Sequence, residues 1–357
     1  MSYNTVAAAW IALCVTACGG RGGSTTQAAD PLHDHSASGS SMREAGAGRP
    51  LSAMAGRRAA APAAGTLAPG TDGGPDAQTI MPADDDRDAG TGTTPPACSA
   101  LRARAEQDGQ LVVSGLPREY VLHVPPKLPA GQPVPLVVDL HGLMTHAKYQ
   151  RASSGFATLA DSAGFVVAYP QAIDSAWNLA AEGCCGLDPA VDDAGFVRAL
   201  VAELVESDCV DAKRVYAVGV GAGGGLAQQL ACQASELFTA VLSRDFDLFE
   251  PAANSCQPKR PVAVLALRDM ADPDLPYMGG EIRVANGLNA RFRTLGAEAS
   301  LRRWAELDRC SGEPEISADG CRIYKACASG VEVGLCHRSV NQAAQDAATA
   351  WAFLSRF

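Results

Sequence analysis

Arg214-Val215-Tyr216-Ala217-Val218, followed by Gly219-Val220-Gly221-Ala222-Gly223-Gly224-Gly225 and then Leu226-Ala227-Gln228-Gln229-Leu230-Ala231-Cys232, decides how the rest of the chain is read. A β-branched and aromatic run meets a glycine turn, and the turn opens a helix-forming segment. This is the layout of a nucleophile elbow, Gly-x-Ser-x-Gly between a strand and a helix. Gly219 and Gly223 are the flanking glycines, and the residue between them is Gly221. The spacing thus predicts the corner of a hydrolase-type sheet, with no hydroxyl at its centre. Glycine also suits such a corner sterically, because other residues are strained there.

Outward from this stretch, strand-like and helix-like segments alternate. Leu111 to Val113 and Tyr120 to Val124 alternate apolar and polar as antiparallel strands do. Val134 to Leu140 is nearly continuously apolar, as in a strand buried on both faces, and His141-Gly142 ends it. Gly155 to Ala163 is helical in pattern, and Phe165 to Tyr169 is a further buried strand stopped by Pro170. Asp192 and Asp193 stand where they can cap a helix running through Phe196, Leu200 and Leu204. Thr239 to Leu242 and Val262 to Leu267 read as strands, Arg302 to Leu307 as helix, and Val331 to Val333 as a last short strand. Ala344 to Phe357 closes the chain as an amphipathic helix. The expected fold is α/β, with a mostly parallel, doubly wound sheet.

Composition narrows the function classes. The chain has 357 residues, 39 acidic against 29 basic, and a net charge of −10. It gains nothing from counterion release, so no nucleic-acid partner is expected. Val6 to Val15 has the length of a signal-peptide core, and Val15-Thr16-Ala17-Cys18 is similar to a bacterial lipobox, although Met1 to Thr5 carries no Lys or Arg. The expectation is a lipoprotein-type signal over residues 1–18, with lipidation at Cys18 and membrane attachment through that anchor. Residues 19–97 are rich in Gly, Ala, Ser, Thr, Pro and Asp and contain no Phe, Trp or Tyr. They read as a disordered linker, and the folded domain is expected over residues 98–357.

The chain carries 12 cysteines. Setting aside Cys14 and Cys18 leaves Cys98, Cys184, Cys185, Cys209, Cys232, Cys256, Cys310, Cys321, Cys327 and Cys336, an even set. In an exported chain this reads as a disulfide framework. No Cys-x-x-Cys pair occurs, and Cys336-His337 has no partner pair at zinc spacing, so no metal site is expected.

Several further segments fit one family in order. They are Tyr120 to Pro125, Val137 to Gly142, Gly164 to Pro170, Ser175-Ala176-Trp177-Asn178, Cys184-Cys185-Gly186, Val191 to Phe196, and Ala271-Asp272-Pro273-Asp274-Leu275-Pro276-Tyr277. Together they resemble the extracellular polyhydroxybutyrate depolymerase and feruloyl esterase family, over about residues 98–357. The resemblance implies an α/β-hydrolase fold with disulfides, no cofactor, and a Ser, Asp, His triad in that chain order. It puts the degenerate nucleophile position at Gly221 and the acid at Asp272. His337 is either the remnant of the triad histidine or unrelated to it, because the glycine-rich context of that histidine is missing. The oxyanion region falls at His141, Gly142 and the amide of Ala222. Trp177 and Tyr277 either line a cleft or belong to the core. Where the family has His-Gly before the acid turn, this chain has Arg268-Asp269-Met270.

Three functions compete at this stage. The first is a silent esterase homologue that binds an ester polymer or cell-wall-type ligand at the cell envelope, on the outer membrane or surface, or after secretion. The second is an active esterase with a different nucleophile; Ser153, Ser154, Ser175 and Ser243 all lie outside a Gly-x-Ser-x-Gly context. The third takes Gly219 to Gly224 as a Gly-x-Gly-x-x-Gly dinucleotide fingerprint. Against the third, the acidic residue Asp245 lies beyond Arg244, 26 positions after Gly219 rather than about 20, and the motif lies behind the expected export signal.

Overall fold

The computed structural model describes residues 107–128, 132–179, 188, 190–207, 210–283, 291–338 and 343–357. The expected signal, linker and Cys18, together with Cys98, Cys184, Cys185 and Cys209, lie outside them.

A hairpin opens the described part. Strands β1 (Gln107–Val113) and β2 (Leu116–His123) pair antiparallel. Their two-residue turn, Ser114-Gly115, has φ of 52° and 80°, the mirror-type turn that matches strand twist. Strands β3 (Val134–Leu140) and β4 (Val166–Pro170) are buried along their whole length. They are followed by β5 (Val210–Val220), β6 (Ala240–Arg244), β7 (Ala263–Arg268) and β12 (Val333–His337). The sheet order is β1-β2-β4-β3-β5-β6-β7-β12-β11-β10, where β10 is Glu315–Ile316 and β11 is Arg322–Tyr324. The six strands from β4 to β12 run parallel, with antiparallel strands at both edges. A separate ribbon pairs β8 (Gly280–Arg283) with β9 (Arg291–Thr294).

Because side chains alternate along a strand, each central strand feeds two cores. Leu136, Val138, Val215, Ala217 and Val241 face one side. There they meet Phe196 and Leu200 of α3 (Asp193–Ser207), Leu226 and Leu230 of α4 (Ala222–Gln233), and Trp304 of α6 (Ala297–Leu307). Val137, Val167, Tyr216, Val218 and Leu242 face the other. They pack on Ala147 of α1 (Ala147–Ser153), Phe156 and Ala160 of α2 (Phe156–Ala163), and Phe353 of α7 (Ala343–Leu354). A further short helix, α5 (Glu250–Ser255), lies between β6 and β7. This is the doubly wound arrangement expected from the sequence.

Three differences have local causes. The last parallel strand lies at Val333–His337 rather than Val331–Val333. Gly334 does not stop it, because a Cβ there would stand 2.8 Å from Leu265, and the missing side chain is what lets β12 lie against β7. Asp192 alone caps α3, accepting from the Gly195 amide at 2.7 Å. Asp193 instead turns inward to the buried Arg118, whose guanidinium also covers the Phe196 ring. Helix α6 begins five residues before Arg302, after Gly296 at φ 82°.

Disulfides join Cys232 to Cys256, Cys310 to Cys327 and Cys321 to Cys336. Such bonds persist in oxidising compartments, which agrees with export.

The approach of α4 to β3 sets a stability prediction. A Cβ on Gly223 would lie 2.2 Å from the Leu140 carbonyl oxygen, whereas one on Gly142 would meet nothing closer than 3.5 Å. Gly223→Ala should lower the urea unfolding free energy by about 1–3 kcal/mol or more. Gly142→Ala should change it by about 0.5 kcal/mol.

Candidate active site

The C-terminal ends of β3, β5, β6, β7 and β12 lie side by side on one edge of the sheet. This edge carries His141-Gly142 after β3, Gly221 after β5, Asp272 after β7 and His337 at the end of β12.

Gly221 is the single residue between β5 and α4. Its φ and ψ are 53° and −124°, and its amide donates to the Arg244 carbonyl at 2.9 Å. These dihedrals are costly for any residue with a Cβ. The flanking glycines are required by contact. A Cβ on Gly219 would stand 2.3 Å from the Gly223 backbone, and one on Gly223 would stand 2.6 Å from the His141 carbonyl oxygen. A Cβ on Gly221 would meet nothing within 4 Å. A side chain at 221 would therefore enter open space, with no neighbour filling its place.

His141 is fully buried, and its ring is 4.7 Å from that of Trp177. Its Nε2 accepts from the Ala172 amide at 3.1 Å. That leaves the proton on Nδ1, which donates to the Gly142 carbonyl at 2.8 Å. Burial is the main reason its pKa is pushed down to about 4. The neutral ring thus holds the 141–145 loop in place. Trp177 donates its indole N–H to the His141 carbonyl at 2.7 Å from a fully buried position, so it belongs to the core. Thr145 closes the loop by donating to the Gly142 carbonyl at 2.8 Å. Ala222 is the first residue of α4, so its amide points out of the helix N-terminus beside Gly221. His146 caps α1, accepting from the Tyr149 amide at 3.1 Å.

Asp272 sits in the turn after β7. Its Oδ1 accepts from the amides of Asp274 and Leu275, both at 2.9 Å. Its Oδ2 is 3.6 Å from Nη1 of Arg268. His337 is exposed at the end of β12, its ring 5.5 Å from that of Tyr277. Tyr277 is nearly buried and donates its hydroxyl to Glu298 at 2.6 Å. Glu298 is in turn paired with Arg322. His337 and Arg268 are register partners on adjacent strands, so His337 reaches the same edge as Asp272. In the structure the charge beside Asp272 is Arg268.

Sequence reading had marked Arg268 only as a departure and had not found its second partner, Asp247. Arg268 is fully buried, with Nε 3.2 Å from Asp247 Oδ1. Burial raises the Asp247 carboxyl to about 7. The available signal was Arg244-Asp245-Phe246-Asp247, a run of charge at the end of a buried strand. Of the other serines, Ser243 is fully buried and donates to the Phe246 carbonyl at 3.0 Å, and Ser153 donates to the Tyr149 carbonyl at 2.8 Å. Among the described residues no group of three or more His, Cys, Asp or Glu could hold a metal ion.

The sheet order and the strand–glycine–helix corner define an α/β-hydrolase fold. The family model described as Esterase PHB depolymerase matches residues 118–257. Feruloyl esterase B of Piromyces equi is 31% identical over 251 residues, covering 67% of this chain and 45% of that protein. The putative esterase NocK of Nocardia uniformis subsp. tsuyamanensis is 33% identical over 233 residues, covering 59% of this chain and 67% of that protein. A probable feruloyl esterase C of Aspergillus oryzae is 27% identical over 177 residues, covering 47% of this chain and 60% of that protein. The match thus spans less than half of the Piromyces protein and about 60% of the Aspergillus one. The chain belongs to the PHB-depolymerase and feruloyl-esterase family.

The His141 ring generates a pH prediction. Its folded pKa lies below the ordinary 6.5. Its contribution is therefore complete above pH 6.5 and is lost as pH falls toward 4, where the unfolded chain takes up the proton more readily. Buried Asp139 and Asp247, both raised to about 7, act in the opposite sense. The comparison must therefore be made against a variant. Between pH 6.5 and 4 the native chain should lose up to roughly 3 kcal/mol more stability than His141→Asn does, as read by chemical denaturation at each pH.

Proposed function

We propose that this chain is an exported esterase homologue that has lost ester hydrolysis and kept the hydrolase frame as a binding surface. Its ligand is an ester-bearing polymer, either a polyester or an esterified cell-wall polysaccharide, and Cys18 carries a lipid that holds the protein at the cell envelope. The observation that carries this reading is Gly221, a glycine at the strand-to-helix corner with the dihedrals of a nucleophile and open space where its hydroxyl would be. The names of the relatives support the polymer class, since several are feruloyl esterases. Loss of a nucleophile lowers turnover by about 10⁶ in a triad enzyme, and residual rate comes from the oxyanion donors and binding alone. The binding face is the strand edge around Gly221, where Met144, Met270 and Met278 are exposed.

The experiment is an assay of the purified chain on p-nitrophenyl acetate and methyl ferulate, with sedimentation against esterified arabinoxylan and polyhydroxybutyrate particles. The expected result is no hydrolysis above the buffer rate together with retention on one of the two polymers. Hydrolysis that falls at least about tenfold in Asp272→Ala and in His337→Ala would overturn the reading and show an active enzyme with another nucleophile.

A further inference from the structure

The buried guanidinium of Arg268 faces two carboxylates and one carbonyl, and of these contacts only the one from Nη2 is a hydrogen bond. Nη2 donates to the Leu275 carbonyl at 2.6 Å, Nη1 faces Asp272 Oδ2 at 3.6 Å, and Nε faces Asp247 Oδ1 at 3.2 Å. Asp272 is equally committed, with Oδ1 taken by two backbone amides and Oδ2 turned to this cation. Around them lie Asp245, paired with Arg244 at 3.1 Å, and Asp346, which is 3.1 Å from Arg244 and 4.0 Å from Arg338. All are carried on the ends of β6, β7 and β12 or on α7 against them.

We propose that Arg268 is a positioning residue that sequesters Asp272, so that the hydrolytic machinery is blocked at two separate places, 221 and 268. The Asp272 oxygen that would orient an imidazole faces Arg268, and a buried cation that loses one of its two carboxylates is left with Asp247 alone. His337, the register neighbour of Arg268, stays tilted against the Tyr277 ring. A hydroxyl restored at 221 would then attack an ester carbonyl with no oriented base to take its proton. With Arg268 neutralised, Asp272 is free to hold the His337 ring. His337 then accepts the hydroxyl proton as the acyl–oxygen bond forms, and passes it to the departing alcohol as the ester bond breaks.

The inference rests on the silent-esterase reading. The full chain is therefore assayed unmodified beside its variants, so that failure of that reading shows in the native protein alone. The variants are Gly221→Ser, Gly221→Ser with Arg268→Gln, and Gly221→Ser with Arg268→Gln and Asp247→Asn. The last removes both buried charges, so that Asp247 is not stranded. Each is checked by thermal unfolding and assayed on p-nitrophenyl acetate from pH 5 to 9. At least one folded Arg268→Gln combination should exceed Gly221→Ser by at least about tenfold in kcat with KM little changed. It should also acquire a single-group pH dependence. Adding Asp272→Asn should cancel that gain. The proposal is overturned if the folded Arg268→Gln combinations show no gain, or if that gain survives Asp272→Asn.

Discussion

Everything at the C-terminal edge of the parallel strands depends on backbone meeting backbone where α4 leaves β5. Gly219 lies against Gly223, and Gly223 lies against the carbonyls of Leu140 and His141. No side chain fits between these three segments. Their contact fixes how far the helix N-terminus stands from the loop after β3. That loop is then fastened from the other side by the His141 ring on the Ala172 amide and by the Trp177 indole on the His141 carbonyl. The loop after β3 and the N-terminus of α4 are thus held by packing constraints that do not involve residue 221 at all.

The same edge gathers an unusual density of buried charge. Burial raises the carboxyls of Asp245, Asp247 and Asp346, while Arg244 and Arg268 stand among them. Desolvation works against every ion here, so the pairs hold only because each has an opposite charge within reach. By contrast, exposed pairs such as Lys148 with Asp108 add little. The charges on this edge thus face one another across the ends of β6, β7 and β12.

The frame could be read in advance because its signals are periodic. The buried runs at Val134 to Leu140 and Phe165 to Tyr169 and the glycine corner come within a residue or two of the observed elements. The β8–β9 ribbon and the short β10 and β11 were missed, since four residues or fewer carry too little pattern. At the site, Gly221 was legible from motif spacing and Asp272 only through the family resemblance. The Arg268–Asp247 pair was not, because it joins the last residue of β7 to a loop residue after β6, 21 positions away, a relation that only the folded sheet creates. Trp177 could be assigned to the core only once its indole partner was known.

Open space around residue 221 has a last consequence. Losing a side chain that touches nothing leaves no cavity behind, and glycine accepts the local dihedrals without penalty. Proteostasis acts on exposed apolar surface and unfolded fractions, and neither changes when a hydroxyl disappears from this spot. A cell would therefore keep a chain with glycine at 221 at the same abundance as one that carried a side chain there.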